Sequence, residues 1–253
     1  MLLALDIGNT NITLGLYKND DLILLSHLAS DSRRLTDQYA ADLKGILEIH
    51  KLSAADIDDA VICSVVPPLT AAVQRAVKLL TGVTPLLVDI SATKGFAVEI
   101  DSPETLGADF IAGCVAAKAK YDCPAIIFDL GTATTMAVLD KSGAMTGGAI
   151  MAGIGISLDA LSGRTAQLPQ INTEGKCPLI GKNTIDCMRS GAIYGTAAMI
   201  DGLCERVEKE LGKNCSVILT GGFSRLIFPL CGCGAVVDEY LLMDGMRAIA
   251  SNK

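Results

Sequence analysis

The spacing of hydrophobic positions changes along this chain from strand-like to helix-like, and it does so twice. Near the N-terminus, residues 2–7, 11–17 and 22–27 are mainly apolar or alternate between apolar and polar, and a polar turn at residues 19–21 separates the last two. Such spacing predicts three consecutive strands joined by tight turns. The chain is therefore predicted to begin with an antiparallel meander.

Helical spacing follows this meander. Apolar side chains such as Tyr39, Leu43 and Leu47 share one face over residues 36–50, which predicts a helix. Thr36 is the predicted N-cap, because a hydroxyl can accept a hydrogen bond from the first helical turn. The next predicted elements are a strand over residues 59–66 that ends at Pro67-Pro68, a helix over 69–80, a strand over 84–88 and a helix over 106–121.

The same order of elements returns in the second half. It comprises strands over residues 125–129, 135–139, 144–151 and 216–220, and helices over 157–161, 184–209, 224–230 and 243–250. Strands followed by alternating helices and strands, repeated twice, predict an α/β fold with two similar domains and mixed sheets. The predicted domains are residues 1–120 and 121–253, with the last helix able to pack on the first domain instead.

One short phrase stands at the first turn of each meander. It reads Asp6-Ile7-Gly8-Asn9-Thr10 in the first half and Asp129-Leu130-Gly131-Thr132 in the second, each time between two apolar runs. Each copy is predicted to be a strand, a tight turn and a strand, with an acid and several polar donors at the turn. Two copies half a chain apart predict a duplicated fold with a cleft between the halves that holds a phosphate-rich ligand.

The residue types at these turns suit phosphate and cation chemistry. Gly8 permits a positive φ and a close approach of a ligand to the backbone. Asp6, at a strand end, is suited to hold Mg²⁺ through water and to orient nucleotide phosphates. Asp129 is suited to bind a cation and Thr132 to donate to a phosphate. The alternative for each copy is an ordinary hairpin turn, which the repetition disfavours.

Other candidate positions carry weaker signals. Gly221-Gly222 lies between a strand and a helix, where a base or ribose can lie on the backbone, but such a connection often needs glycine anyway. Asp109 follows Gly107 at a predicted helix start and could be a general base. From the residues alone, an acid that complements the helix dipole is the favoured interpretation. His27 and His50 have no partner pattern, so both are interpreted as structural.

The composition and charge of the chain argue against some classes of partner and location. The chain has 253 residues and a formal net charge of -7, with no basic patch, which argues against nucleic acid as a partner. The nine cysteines, with no predicted signal peptide, indicate a reducing, cytoplasmic location. The longest apolar stretch, residues 145–161, is interrupted by glycines and an acid and falls short of a membrane span.

Taken together and in this order, the motifs resemble those of the type III pantothenate kinases, a family of the actin/hexokinase/Hsp70-like ATPase superfamily. The resemblance covers nearly the whole chain. It rests on the two acid turns and on Ser64-Val-Val-Pro-Pro68, Gly107-Ala-Asp109, Gly181-Lys-Asn-Thr184, Ser190-Gly191 with Tyr194-Gly195, and Thr220-Gly-Gly222. It implies two ribonuclease H-like, actin-like ATPase domains with an interdomain cleft.

The resemblance also implies roles for individual residues. It implies ATP-dependent phosphorylation of pantothenate to 4'-phosphopantothenate, the first step of coenzyme A biosynthesis, with Mg²⁺ and a monovalent cation, K⁺ or NH₄⁺, in a homodimer. Asp109 would be the catalytic base and Asp129 the ligand of the monovalent cation. The implied ATP-binding residues are Asp6, Ile7, Gly8, Asn9, Thr10, Asn11, Ile12, Thr13 and Thr132. The implied substrate-binding residues are Ile100, Gly107, Ala108, Asp109, Phe110 and Thr184, the last reaching across the dimer interface.

Three positions depart from the family pattern. Phe110 stands where the family usually has Arg, Ile100 where it usually has Tyr, and Ala152 where Pro is common. Losing a guanidinium contact to a substrate carboxylate would cost about 1.5–3 kcal/mol of binding. Two alternatives therefore stay open: a kinase of the same fold for a less anionic alcohol, and a catalytically weak, nucleotide-binding regulatory protein.

Overall fold

The computed structural model describes residues 1–252 and divides the chain into two compact units. The first comprises Met1–Phe96, Asp101–Ala116 and the described residues from Leu241 onward; the second comprises Ala97–Ile100 and Ala117–Tyr240. The last helix belongs to the first unit. No helix among residues 1–252 combines the length and apolarity needed to cross a membrane.

The first unit is built on a five-stranded mixed sheet. Its strands are β1 (Leu2–Ile7), β2 (Asn11–Lys18), β3 (Asp21–Ala29), β4 (Asp59–Ser64) and β5 (Leu86–Leu87), in the order β3-β2-β1-β4-β5. β1 to β3 form the predicted antiparallel meander, and β4 and β5 continue the sheet in parallel. Alternation along β1 sends its side chains to two buried faces.

Helices cover both faces of this sheet. The helices are α1 (Thr36–Ile49), α2 (Pro67–Thr81), α3 (Ala108–Lys120) and, at the end of the chain, α7 (Leu241–Ser251). Leu3, Leu5 and Ile7 pack with apolar residues of α1 and α2. Ala4 and Cys63 pack with apolar residues of α3 and α7 on the opposite face. The unit therefore has three layers, and the face under α3 also carries Asp6.

Two predicted helix starts need correction. The predicted N-cap Thr36 is wrong: Leu35 precedes the helix with φ −92° and ψ 166°, and its N–H donates to Gln38 Oε1 at 2.8 Å. A glutamine that reaches back from the third helical position satisfies the cap backbone, which frees Thr36 to accept from Arg75 Nε at 3.2 Å. Pro67 begins α2 rather than preceding it, because proline lacks the N–H that a first turn leaves unbonded.

The second unit repeats the topology of the first. Its strands are β6 (Ala125–Leu130), β7 (Ala133–Leu139), β8 (Met145–Ala152), β9 (Ser216–Thr220) and β10 (Val236–Val237), in the order β8-β7-β6-β9-β10. The meander is again antiparallel and the last two strands are again parallel to the central one. The predicted α/β class with two similar mixed-sheet domains is confirmed.

Three helices belong to the second unit alone: α4 (Ile154–Arg164), α5 (Thr184–Leu211) and α6 (Ser224–Ile227). Phe128 and Leu130 of the central strand pack with Ile193 and Ile200 of α5. α4 begins three residues before the predicted helix 157–161 and ends three after it. β10 was not predicted, because two residues are too few to show a period.

The two helices on one face of the first sheet meet at a glycine. A Cβ added to Gly245 of α7 would lie 1.9 Å from the carbonyl oxygen of Ala112 in α3. Backbone occupies this space, so a side chain at position 245 requires the helices to separate.

We expect Gly245→Ala to lower the free energy of unfolding by about 1–3 kcal/mol, because overpacking outweighs the higher helix propensity of alanine. Chemical denaturation measures the change. Gly45→Ala is the matched control, since Gly45 lies within α1 and an added Cβ there meets no atom within 4 Å. The control should gain about 0.5–1 kcal/mol. Equal stability of the two variants would contradict the close contact.

Candidate active site

The first acid turn joins β1 to β2. Asp6 is half-buried near the end of β1, whereas Asn9, Thr10 and Asn11 are exposed at the turn. The Gly8 N–H donates to the Asn11 carbonyl oxygen at 3.0 Å and closes the hairpin. The turn thus presents polar side chains and backbone outward beside a partly sheltered carboxylate.

Gly8 does not adopt the positive φ that glycine permits. A Cβ at this position would instead lie 3.2 Å from the Asn11 carbonyl oxygen, closer than an ordinary van der Waals contact. The glycine is therefore required for space within the hairpin and not for a left-handed backbone.

The strand register places Asp6 in a row of four residues across the first sheet. Asp6 pairs with Thr13 of β2 on one side and with Cys63 of β4 on the other, and Thr13 pairs with His27 of β3. Paired residues share a face, so all four side chains belong to the face under α3. His27 Nδ1 lies 3.3 Å from Thr13 Oγ1, a contact that the sequence interpretation of His27 missed.

A corresponding row of paired residues crosses the second sheet, but its residue types differ from those of the first. Asp129 of β6 pairs with Thr135 of β7 and with Thr220 of β9, and Thr135 pairs with Ile150 of β8. An exposed isoleucine therefore takes the place that His27 has in the first unit. The second turn is also one residue shorter, because six positions separate Asp129 from its partner whereas seven separate Asp6 from Thr13.

Two glycines bring backbone close to the second acid turn. A Cβ at Gly221, which has φ +85°, would lie 2.2 Å from Asp129 Oδ1. A Cβ at Gly153, just before α4, would lie 2.1 Å from the Thr132 carbonyl oxygen. The turn after β9 and the start of α4 thus both contact the Asp129 turn, while Thr132 itself is exposed. Asp129 has neighbouring backbone groups that can share a cation with it.

Asp109 lies in the first turn of α3, in the first unit. A Cβ at Gly107 would lie 2.4 Å from Asp109 Oδ1, so the carboxyl folds back over the glycine. The Phe110 N–H donates to the same oxygen at 2.8 Å. Burial raises the pKa of the Asp109 carboxyl above its usual value, and the hydrogen bond from Phe110 opposes that shift. A raised pKa makes a carboxylate a stronger base.

The other predicted substrate residues are spread over the chain. Ala108 is buried in the core of the first unit and Phe110 is half-buried. Ile100 follows residues 97–99, which pair with Met145 in the second unit. Thr184 is exposed in the first turn of α5, where Asn183 caps the helix by accepting from the Asp186 N–H at 2.9 Å.

Metal binding would involve few protein ligands. Within residues 1–252, no group of three or more His, Cys, Asp or Glu side chains is arranged to hold a metal ion. Mg²⁺ in kinases is commonly held by one or two carboxylates together with substrate phosphates. Asp6, beside the exposed turn, and Asp129, beside the backbone of Gly221, are the two carboxylates of the acid turns that could take such a role.

Known proteins match both the sequence and the fold. The model of the family described as type III pantothenate kinase matches residues 2–206. A type III pantothenate kinase of Roseiflexus sp. (strain RS-1) is 39% identical over 249 residues, which cover 98% of each protein. A second, of Exiguobacterium sp. (strain ATCC BAA-1283 / AT1b), is 38% identical with the same coverage.

Solved structures with low sequence identity share the fold. One, described as a Baf family transcriptional activator from Campylobacter jejuni, has a TM-score of 0.64 at 20% identity and covers 99% of this chain and 98% of its own. An activator of 2-hydroxyisocaproyl-CoA dehydratase from Clostridium difficile, with bound ADPNP, has a TM-score of 0.54 at 13% identity and coverages of 98% and 92%. These two similarities show the fold alone.

The sequence matches run almost end to end and confirm the resemblance that the motifs indicated: the chain belongs to the type III pantothenate kinase family.

Proposed function

We propose that this protein transfers the γ-phosphoryl group of ATP to the hydroxyl of pantothenate, giving 4'-phosphopantothenate and ADP in the first step of coenzyme A biosynthesis. One observation carries the proposal for this chain. Asp109, a carboxyl whose pKa is raised by burial, starts a helix that packs on the sheet face bearing Asp6. A phosphate-binding turn and a base on one face are what transfer to an alcohol requires.

The residues of the first turn bind and orient the ATP phosphates in this proposal. Asn9, Thr10 and Asn11 are exposed and offer amide, hydroxyl and backbone donors, and Thr13 stands opposite Asp6. Ile7 and Ile12 pair with each other and hold the two strands together below the turn. Mg²⁺, when bound, neutralises phosphate charge, and Asp6 is the carboxylate placed to hold it through water.

Asp109 takes the proton from the substrate hydroxyl. As the new bond forms between that oxygen and the γ-phosphorus, the bond to the β–γ bridging oxygen breaks and the proton passes to the carboxylate. The space at Gly107 keeps Oδ1 of Asp109 against the helix start, and the Phe110 N–H orients it. On the first unit, Gly107 and Phe110 are the proposed contacts to the acceptor, and Ala108 supports them from the core.

Asp129 binds a monovalent cation, K⁺ or NH₄⁺, in this proposal, and Thr132 contacts the nucleotide. The carboxylate is half-buried, and the backbone of Gly221 approaches to where a side chain would collide with Oδ1. The carboxylate of Asp129 supplies the oxygen ligand and the negative charge that this proposal requires.

A homodimer is the proposed assembly. Large apolar side chains stay exposed in one part of the second unit, around the start of α5: Leu179 is 62%, Ile180 80% and Ile185 43% exposed. Monomeric proteins rarely expose neighbouring apolar residues of this size. Sedimentation equilibrium would measure the mass directly. A reducing, cytoplasmic location is proposed for this chain of nine cysteines.

Asp109→Asn should lower kcat for pantothenate by about 10²- to 10⁴-fold while the dissociation constant of ATP changes little, because the amide cannot accept the proton. A coupled ADP-release assay and calorimetric ATP titration give the two values. Glu104→Gln is the control, as an exposed acid in the same unit. If the wild-type protein phosphorylates another alcohol but not pantothenate at millimolar concentration, the proposed acceptor is wrong.

The same substitution should stabilise the fold at neutral pH. The folded pKa of Asp109 is raised above the unfolded value of 3.8, so its contribution to stability is fully present below the unfolded pKa and is lost as pH rises through the folded pKa. The amide of the variant carries no such charge. The difference in unfolding free energy, Asp109→Asn minus wild type, should therefore increase as the pH rises from the unfolded pKa through the folded pKa. A difference that is independent of pH would show that the carboxyl is not buried.

Asp129→Asn should raise the K⁺ concentration needed for half-maximal activity by about 10- to 100-fold, because a charged ligand is lost. Activity is titrated with KCl at constant ionic strength, kept by choline chloride. Asp122→Asn, an exposed acid of the same unit, serves as the control. An unchanged K⁺ requirement would exclude Asp129 as the ligand.

A further inference from the structure

We infer that Ser30 is a positioning residue for the phosphate-binding turn: it sets the direction of the peptide groups between Gly8 and Asn11. The inference rests on the proposed role of this turn in binding ATP. Ser30 directly follows the last residue of β3, is half-buried, and has no counterpart among the motifs that the sequence singled out.

Two hydrogen bonds connect Ser30 to the turn. Its hydroxyl donates to the Gly8 carbonyl oxygen at 2.6 Å, and its N–H donates to the Thr10 carbonyl oxygen at 3.0 Å. The second bond extends the β2–β3 pairing by one step. The first is made by the side chain alone, and no other residue type except threonine supplies a hydroxyl at the same distance from the backbone.

The planarity of the peptide bond converts these contacts into an orientation. In a trans peptide the C=O and the next residue's N–H point in opposite directions. Because both carbonyl groups point towards Ser30, the N–H groups of Asn9 and Asn11 point to the side opposite Ser30. Donors fixed in this way need no reorganisation when a phosphate arrives, which is the condition for strong electrostatic stabilisation.

Ser30 is itself held by the core of the first unit. The next residue, Asp31, donates its N–H to the Tyr39 hydroxyl at 3.1 Å, and that hydroxyl donates to the Asp31 carbonyl oxygen at 2.9 Å. The Tyr39 side chain is fully buried on α1. Hydrogen bonds from the buried Tyr39 thus fix Asp31, and the peptide bond to Asp31 holds Ser30 beside the turn.

In the second unit the corresponding turn is held by backbone packing and not by a side-chain hydroxyl. There the backbone of Gly153, which follows β8 as Ser30 follows β3, lies directly against the carbonyl oxygens of Gly131 and Thr132. That turn is one residue shorter and is braced by direct packing. In the first unit the longer turn is held instead by the hydrogen bond from the Ser30 side chain.

Ser30→Ala frees the Gly8 carbonyl and lets the Gly8–Asn9 peptide rotate. We expect kcat/KM for ATP to fall by about 10- to 100-fold, with the KM for pantothenate changed less than about twofold. Ser30→Thr keeps the hydroxyl and should restore most of the loss. Tyr39→Phe should shift the KM for ATP in the same direction by a smaller factor. Ser32→Ala, at an exposed position two residues further on, is the matched control.

The dissociation constant of ATP, measured by calorimetry on each intact variant, gives a readout that does not depend on the acceptor. It should rise in Ser30→Ala and recover in Ser30→Thr, with the thermal midpoint of all variants close to that of the wild type. Equal loss of affinity for ATP and pantothenate, or failure of Ser30→Thr to recover ATP binding, would overturn the inference. If the wild type binds ATP but leaves pantothenate unmodified, the proposed function fails, and the ATP titrations still decide the role of Ser30.

Discussion

The hydrogen-bonded register of the two central strands determines where the acidic side chains of both halves lie. β1 and β6 each have an antiparallel neighbour on one side and a parallel neighbour on the other. A slip of one residue would move every apolar side chain of such a strand to the opposite face, and both faces of β1 are packed against helices. Asp6 and Asp129 are therefore held near the ends of their strands, opposite threonines, by the burial of the whole sheet.

The two acid turns share this register but have diverged in what surrounds them. In the first unit the row across the sheet ends at His27, and a serine hydroxyl holds the turn. In the second unit the row ends at an exposed isoleucine, and backbone of Gly153 and Gly221 approaches the turn. Side-chain donors suit a phosphate ligand, whereas close backbone around a carboxylate suits a cation. The two turns therefore share a strand register but differ in the groups that surround their acids.

At Asp109, the burial that suits the candidate active site lowers the stability of the fold when the carboxyl is ionised. A helix N-terminus favours a negative charge, yet burial has the larger effect and raises the pKa of this carboxyl. A carboxylate that is costly to keep ionised is also one that readily accepts a proton. The glycine at position 107 makes the arrangement possible, because any side chain there would occupy the space of Oδ1. Phe110 contributes its N–H to the same oxygen, so this contact does not depend on the side chain at position 110.

The sequence by itself determined the order and type of nearly all elements, the α/β class, the duplication and the family. These follow from the spacing of apolar side chains and from short motifs, both of which are local properties of the chain. Only the tertiary structure decided the one-residue difference between the two acid turns, the contact of His27 with Thr13, and the hydrogen bonds of Ser30. The same holds for the space around Gly8 and the cap of α1 at Leu35. Each of these depends on which atoms meet once strands and helices pack, and apolar periodicity carries no information about such pairings.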